Sequence, residues 1–292
     1  MVKKQQYLVG IVVMVWSSIF FSMMAGLIRY VSHIDSFTTS LFRFAIGLAL
    51  LGTLAMLKKI KLMFIRSKLL FLRGFFGGVA VFLFYLSISK IGISKGTVIL
   101  YSYPIFATIG GVIFLGEKVS PRKWFVILFS FVGIYLISTS EAQGLSGFGK
   151  YDSLAIMGAL CAGMSVVLVK KLRDTDSSYA IFFAQSAVGF WLVILPANGA
   201  SSEIGMSGGI ILLAIGITAA VGQLMMTYAY RHLPVSTGSL LGMLVPVFNI
   251  SIGVIGFNED ISRRCISGII IVLVSCVLVI VGKEGGRLSI TG

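Results

Sequence analysis

The chain has 292 residues, of which 57% are hydrophobic and 12% are charged. A soluble domain carries about 25% charged residues, largely on its water-exposed surface, so this composition excludes an ordinary soluble fold and indicates a membrane protein.

The net charge of +14 would suit a nucleic-acid partner only if the basic residues were gathered on one surface.

Ten stretches of the chain are nearly free of Asp, Glu, Lys and Arg, and most approach the ~20 residues that a helix needs to cross a bilayer. They do not alternate apolar and polar residues, as the strands of an outer-membrane barrel do. The loops between them are too short to fold alone, so the function is expected within or between the helices. In chain order, the predicted spans are 7–28, 37–57, 69–89, 93–115, 124–140, 153–169, 179–197, 206–229, 235–257 and 265–282.

Basic residues are unevenly distributed between the two sides of these spans. If the N-terminus is cytoplasmic, seventeen Lys and Arg residues lie on the cytoplasmic side, with Arg73 counted among them, and six lie on the opposite side. This asymmetry follows the positive-inside rule and predicts a protein of the cell (inner) membrane with both termini in the cytoplasm. The net charge is therefore an orientation signal, and no nucleic-acid partner is expected.

The sequence repeats itself at a fixed offset of 142 residues, and each half contains five predicted spans. Because five is odd, the second half must enter the membrane from the opposite side. We therefore predict an all-α membrane protein of ten transmembrane helices in two inverted repeats, residues 1–141 and 142–292, an architecture typical of transporters. The matched pairs are Gly47 and Gly189, Gly74 and Gly216, Ser94 and Ser236, Gly96 and Gly238, Pro104 and Pro246, Gly111 and Gly253, Glu117 and Glu259, and Ser120 and Ser262.

Pro104 and Pro246 lie near the middle of the fourth and ninth spans. A proline lacks the backbone N–H, which frees the carbonyl groups of Leu100 and Gly242 four residues earlier. Such a carbonyl needs a partner in protein or in a water-filled cavity. We expect broken or kinked helices that line a pathway, although two inherited kinks that only shape the bundle would give the same pattern.

Polar and aromatic side chains at membrane depth are candidates for the wall of a solute cavity, because they are costly there unless they have partners. Aromatic rings can stack on a planar or apolar solute while their polar groups bind its other end. Packing in the core or in the interfacial aromatic belt is the alternative for each of them. The candidates are Trp16, Arg43, Tyr85, Thr97, Tyr101, Tyr103, Ser165, Gln223, Thr227, Tyr228, Met243 and Asn249.

Arg43 is interpreted as the only charge deep within a predicted span, where it would bind an anionic group of a solute or anchor the helix. No Asp or Glu lies near the centre of any span, which favours a facilitator or exchanger over a proton symporter.

Glu117 and Glu259 lie at matching helix ends, where we expect them to cap a helix or pair with loop charges. A gating contact is the alternative for these two residues.

Neither a metal nor another cofactor is expected. The three cysteines, Cys161, Cys265 and Cys276, are an odd number without metal-ligand spacing, so we expect packing thiols.

Small residues four apart, as in Gly74-x-x-x-Gly78, favour tight helix packing or a homodimer.

Several motifs resemble the EamA repeat of the drug/metabolite transporter superfamily. They are the stretch from Gly96 through Pro104-Ile-Phe to Phe114-Leu115-Gly116-Glu117, then Ser120 and Trp124, with Leu41-Phe42-Arg43-Phe44 and Leu72-Arg73-Gly74 before it. The second copy departs from the pattern, since Gln185 replaces the arginine and Asn258 stands where Gly is usual. The resemblance implies a central cavity built mainly from spans 1, 3, 4, 6, 8 and 9, and alternating access by rocking of the two halves.

The sequence thus predicts a secondary transporter, embedded in lipid, that moves a small polar metabolite such as an amino acid, with export favoured. Uptake or exchange of a nucleoside-like solute such as S-adenosylmethionine is the alternative. An intramembrane enzyme is disfavoured because His33 and His232 lie in loops and no catalytic constellation is found. A channel is disfavoured because no helix carries a ring of one charge.

Overall fold

The computed structural model describes residues 2–60, 67–91, 93–138, 149–198, 204–258 and 261–281. Within these ranges the regular secondary structure consists of twelve helices and no strand, which confirms the all-α prediction. The helices are α1 Val2–Tyr30, α2 Ser36–Met56, α3 Lys68–Ile91, α4 Ile93–Leu100, α5 Tyr103–Leu115, α6 Pro121–Ser138, α7 Lys150–Leu172, α8 Ser178–Asn198, α9 Met206–Ala229, α10 Val235–Gly242, α11 Leu244–Phe257 and α12 Arg263–Val281.

Eight segments of the described chain are long and apolar enough to cross a membrane, with α4 and α5 forming one such segment and α10 and α11 another. The helices α3 and α6 are not among these eight, so the number of ten spans stays a prediction. The eight segments are Lys4–Tyr30, Ser36–Met56, Gly96–Leu115, Lys150–Leu172, Ser178–Ala197, Met206–Ala229, Val235–Phe257 and Arg263–Val281.

The fourth and ninth predicted spans are each interrupted near the middle. Helix α4 ends at Leu100 and α10 ends at Gly242, two positions related by the repeat offset of 142. Pro104 and Pro246 lie in the first turn of the helix that follows each break. A proline is well accommodated there, because the first N–H groups of a helix have no intrahelical acceptor.

The helices pack in pairs that correspond between the two halves of the chain. Helix α1 runs along α9 as α7 runs along α3, and α2 packs on α9 as α8 packs on α3. Helix α11 packs on α1 as α5 packs on α7, while α2 contacts α8 and α6 contacts α12. Each of these pairings has a counterpart when α1–α6 and α7–α12 are exchanged, as expected of two repeats that are related by a pseudo-two-fold axis.

Glycines allow several of these helices to approach closely within the chain. An ideal Cβ atom at Gly268 of α12 would lie 2.6 Å from the carbonyl oxygen of Gly133 in α6. The motif of Gly74 and Gly78 faces α8, where added Cβ atoms would collide with Ala184 and Leu192. These small residues are thus used for packing between helices of one chain.

Replacing Gly268 by Ala should destabilise the fold. The new methyl group meets backbone atoms that cannot rotate away, so α6 and α12 must separate, at a cost of about 1–3 kcal/mol. The measurement is the apparent melting temperature in detergent, which should fall. Gly52→Ala is the matched control, because nothing lies within 4 Å of its added Cβ, and its melting temperature should be unchanged or higher. Equal melting temperatures for Gly268→Ala and the unmodified protein would contradict this packing.

Candidate functional site

The two ends of the helix bundle differ in their contacts. At one end, which we call the basic end, the Lys170 ammonium at the end of α7 donates to the Arg231 carbonyl after α9, at 3.4 Å. At the opposite end, the Tyr30 end, the Tyr30 ring lies 4.8 Å from the Phe257 ring. Helix α10 therefore begins at the basic end and α11 finishes at the Tyr30 end.

His232 lies among the cations of the basic end, in the turn between α9 and α10. Burial, followed by the positive charges of Arg231, Lys170 and Arg173, lowers the pKa of His232 below its usual 6.5. The imidazole is therefore neutral near pH 7, and the positive charge of this end comes from its Lys and Arg residues.

The Glu117 carboxylate joins the two halves of the chain at the basic end. It accepts hydrogen bonds from the backbone N–H groups of Val235, at 2.7 Å, and Ser236, at 3.4 Å. These are first-turn donors of α10, which an acidic group stabilises. Gly116, in the left-handed conformation with φ 66°, ends α5 and turns the chain so that Glu117 reaches α10.

Glu117, which follows α5, therefore caps α10 in the other half of the chain. The repeat-related Glu259 lies outside the described residues.

Tyrosines form a second contact between α5 and α10. The Tyr103 hydroxyl donates to the Ser239 carbonyl at 3.0 Å, and a Cβ at Gly242 would collide with that hydroxyl. The Tyr101 ring lies 6.3 Å from the Tyr103 ring, and the buried ring of Tyr230 packs on Gly238. The two halves of the chain therefore also meet near the two helix breaks, where α5 begins and α10 ends.

The symmetry-related pair, α4 and α11, lacks comparable packing among the described residues. Helix α4 instead packs on α3, α6 and α7. Among the described residues, the seam between α5 and α10 is therefore packed more closely than its counterpart between α4 and α11.

Side chains of other helices bind the backbone carbonyls around the break in the ninth span. On α1, the Ser18 hydroxyl lies 3.4 Å from the Leu241 carbonyl and the Ser22 hydroxyl donates to the Val245 carbonyl at 3.1 Å. Cys276 of α12 contributes its thiol to the Leu240 carbonyl at 3.8 Å. At the fourth-span break, the described side-chain hydrogen bonds to backbone carbonyls are local, from Ser102 to the Ile99 carbonyl and from Thr108 to the Pro104 carbonyl.

Arg73 is buried inside the bundle, and its assignment to the cytoplasmic loop charges was wrong. Only 2% of its surface is exposed, and it lies in the second turn of α3, which begins at Lys68. Its guanidinium donates through Nη1 to the Ser165 hydroxyl and through Nη2 to the Gln185 side-chain oxygen at 2.7 Å. Arg43 is therefore not the only charge within a span.

The basic residue that the sequence analysis favoured, Arg43, is only half-buried. Its guanidinium carbon lies 5.9 Å from the ring centroids of both Phe21 and Phe44. This position over two aromatic faces gives the cation a favourable environment without an acidic partner.

Several other candidate residues lie on buried helix faces. Gln223 and Thr227 are one turn apart on α9, and the Thr227 hydroxyl donates to the Gln223 carbonyl at 2.8 Å. Within the described ranges, neither Nε2 of Gln223 nor Oδ1 of Asn249 has a hydrogen-bond partner. Met243, at the ninth-span break, accepts a hydrogen bond from Ser130 at its sulfur, at 3.1 Å.

The remaining candidates are not brought into this group. Trp16 is 51% exposed, and Tyr228 is 41% exposed with its ring on His232 at 5.2 Å. Thr97 is half-buried on α4, and the side chain of Tyr85 lies outside the described residues.

Three comparisons with known proteins bear on this architecture. The model of the EamA-like transporter family matches residues 8–139 and 149–281. A pseudopaline exporter of Pseudomonas aeruginosa is 24% identical over 94% of this chain and 97% of its own length. An S-adenosylmethionine uptake transporter of Rickettsia bellii is 24% identical over 87% of this chain and 86% of its own length.

A solved crystal structure has the same fold, with a TM-score of 0.71 at 17% sequence identity and with 95% of this chain and 96% of that chain covered. The family match falls into two segments, one in each half of the chain, and its relatives are transporters. Together with the apolar helices, these matches identify a multi-pass membrane protein with a transport function. The chain belongs to the EamA-like transporter family.

Proposed function

We propose that this protein is a secondary transporter that carries a small polar metabolite, such as an amino acid or a related compound, across the cytoplasmic membrane by alternating access. The observation that supports this function best is the unequal closure of two equivalent seams, α5 with α10 and α4 with α11. In a carrier built from inverted repeats, exchanging the closed and open seams moves the solute site from one side to the other.

The charge distribution supports an orientation for this conformation. Arg173 and Arg231 lie at the basic end, where Lys170 and Lys171 end α7. By the positive-inside rule this end faces the cytoplasm. The conformation is then closed to the cytoplasm and faces outward, with export as the favoured direction.

Buried polar atoms without partners support a polar solute. The Gln223 amide nitrogen can donate a hydrogen bond and the Asn249 amide oxygen can accept one, and both lack a partner among the residues that the structure describes. Buried groups of this kind are normally satisfied by a ligand or by water. We assign solute contacts to these two residues and to Tyr101, with Trp16, Arg43, Tyr85, Thr97, Tyr228 and Met243 as further candidates.

A nucleoside-like solute such as S-adenosylmethionine is the second candidate. The adjacent rings of Tyr101 and Tyr103 offer aromatic surface for stacking on a planar base, and one of the relatives is an S-adenosylmethionine uptake transporter. In that case the transport would be uptake or exchange.

Solute flux into proteoliposomes that contain the purified protein tests the function. Solutes are first selected by their stabilisation of the protein in a thermal-shift screen, because a ligand of the folded state raises the melting temperature. Tyr101→Ala and Gln223→Ala should each raise KM roughly tenfold, as expected when a buried polar contact is lost. Trp191→Ala is the matched control, since Trp191 is 71% exposed on the outside of α8. Unchanged flux in both variants removes these residues from the pathway, and the absence of any transported solute contradicts the function.

Glu117→Gln should favour opening at the basic end. The amide keeps the size of the side chain and one acceptor but loses the charge that stabilises the start of α10, which is worth about 1–2 kcal/mol. In a background without native cysteines, a Thr237→Cys label site on buried α10 should therefore react with a thiol reagent roughly 5- to 30-fold faster.

Asp35→Asn is the control for this experiment, because Asp35 caps its own helix at the N–H groups of Phe37 and Thr38. It should leave the Thr237→Cys reaction rate unchanged. Equal rates in Glu117→Gln and in the unmodified protein would exclude a role of Glu117 in closing this end.

A further inference from the structure

Arg73 is a buried cation that no carboxylate neutralises within the described part of the chain. Its two hydrogen-bond acceptors, Ser165 and Gln185, are neutral, and its Nε atom has no partner. A buried charge is strongly unfavourable unless it is paired as well as hydrogen-bonded. The arrangement is therefore incomplete as a structural ion pair and lacks one anion.

The surroundings of Arg73 are built to leave space for its guanidinium. Gly77 lies one turn further along α3, and an ideal Cβ there would overlap Nη1 of Arg73. The same Cβ would lie 3.1 Å from the Ser165 hydroxyl and 3.2 Å from Cγ of Gln185. Any larger residue at position 77 would therefore displace the Arg73 side chain.

The site lies next to the seam that closes the basic end. Ser165, which accepts from Arg73, lies on α7, and α7 packs on both α5 and α10. The Glu117 carboxylate is already bound to the first N–H groups of α10. Separation of α5 from α10 would thus open the bundle next to α7, the helix whose Ser165 binds the guanidinium.

We propose that Arg73, together with Ser165 and Gln185, binds the carboxylate group of the transported solute when the α5–α10 seam opens. A guanidinium presents a planar pair of donors that matches the two oxygens of a carboxylate. The hydroxyl of Ser165 and the amide of Gln185 can also donate to an anion. Because the site carries one positive charge, it suits a monoanionic group.

This inference rests on the proposed transport function, and it narrows the substrate class to solutes with a free carboxylate. It also gives a reason for the difference between the repeats at Gln185, whose repeat counterpart is Arg43. A second cation at position 185 would lie close to Arg73, which now donates to the Gln185 side chain, and like charges in a buried site repel.

Gln185→Glu is the decisive variant because it places a carboxylate where the Gln185 oxygen now accepts from Arg73. The new ion pair supplies the missing anion from the protein itself. The apparent melting temperature without ligand should rise, while binding of a solute carboxylate should weaken roughly tenfold or more. Gln185→Asn is the matched neutral control, and it should not raise the melting temperature. Arg73→Gln removes the charge altogether and should likewise abolish recognition of the carboxylate.

The probes are a mixture of L-amino acids and a matched mixture of their carboxamides, compared by thermal shift and by flux in proteoliposomes. The unmodified protein should be stabilised by the acids and not by the amides, and Gln185→Glu should lose that stabilisation. Equal stabilisation by acids and amides, or an undiminished response of Gln185→Glu to the acids, overturns the assignment of Arg73 while leaving the transport function intact. If neither mixture is bound or transported by the unmodified protein, the amino-acid carrier function and this inference both fail.

Discussion

An interrupted helix inside a bilayer must find protein partners for its backbone groups, because lipid offers none. The rest of the architecture depends on how the break between α10 and α11 meets this constraint. Carbonyl groups at this break accept from Tyr103 of α5, Ser22 of α1 and Cys276 of α12. The first N–H groups of α10, at the other end of that helix, bind Glu117. The break is therefore enclosed by helices from both halves of the chain. An interruption that would be unstable against lipid becomes the point at which the two repeats meet.

The same contacts make the bundle asymmetric although its helix pairs correspond between the halves. Polar contacts at α10 depend on the closeness of α5, so they are lost if the basic end opens. At the break between α4 and α5, the described side-chain hydrogen bonds to backbone carbonyls are local, from Ser102 to Ile99 and from Thr108 to Pro104. An alternating-access carrier needs two conformations of similar free energy, and hydrogen bonds that exist in only one of them set the balance between the two. In the proposed mechanism, an anionic solute binds the buried Arg73 when this seam opens. Binding then shifts the free-energy difference between the two conformations.

Much of this arrangement could be predicted from the sequence, because it follows from local covalent chemistry and from the repeat. The missing N–H groups of Pro104 and Pro246 indicated breaks in the two spans, and the offset of 142 residues placed them at equivalent positions. The role of Glu117 could be predicted only as far as a cap, since the identity of the capped helix depends on tertiary packing. Arg73 was misjudged because a basic residue near the end of an apolar stretch can extend to the interface or point inward. Hydropathy does not distinguish these two orientations. A glycine four residues later on the same helix face, Gly77, is the sequence feature that is consistent with an inward side chain, because it leaves space for the guanidinium.

The central claim is that the seam between α5 and α10 and the seam between α4 and α11 open in turn. Pulsed electron-spin distance measurements test it directly, with label pairs at Phe114 and Arg231 for the basic end and at Thr97 and Ile255 for the Tyr30 end. In lipid nanodiscs, a transported solute should lengthen one distance distribution and shorten the other in the same sample. Two distances that stay fixed, or that change in the same direction, under every solute that the protein transports would contradict the account.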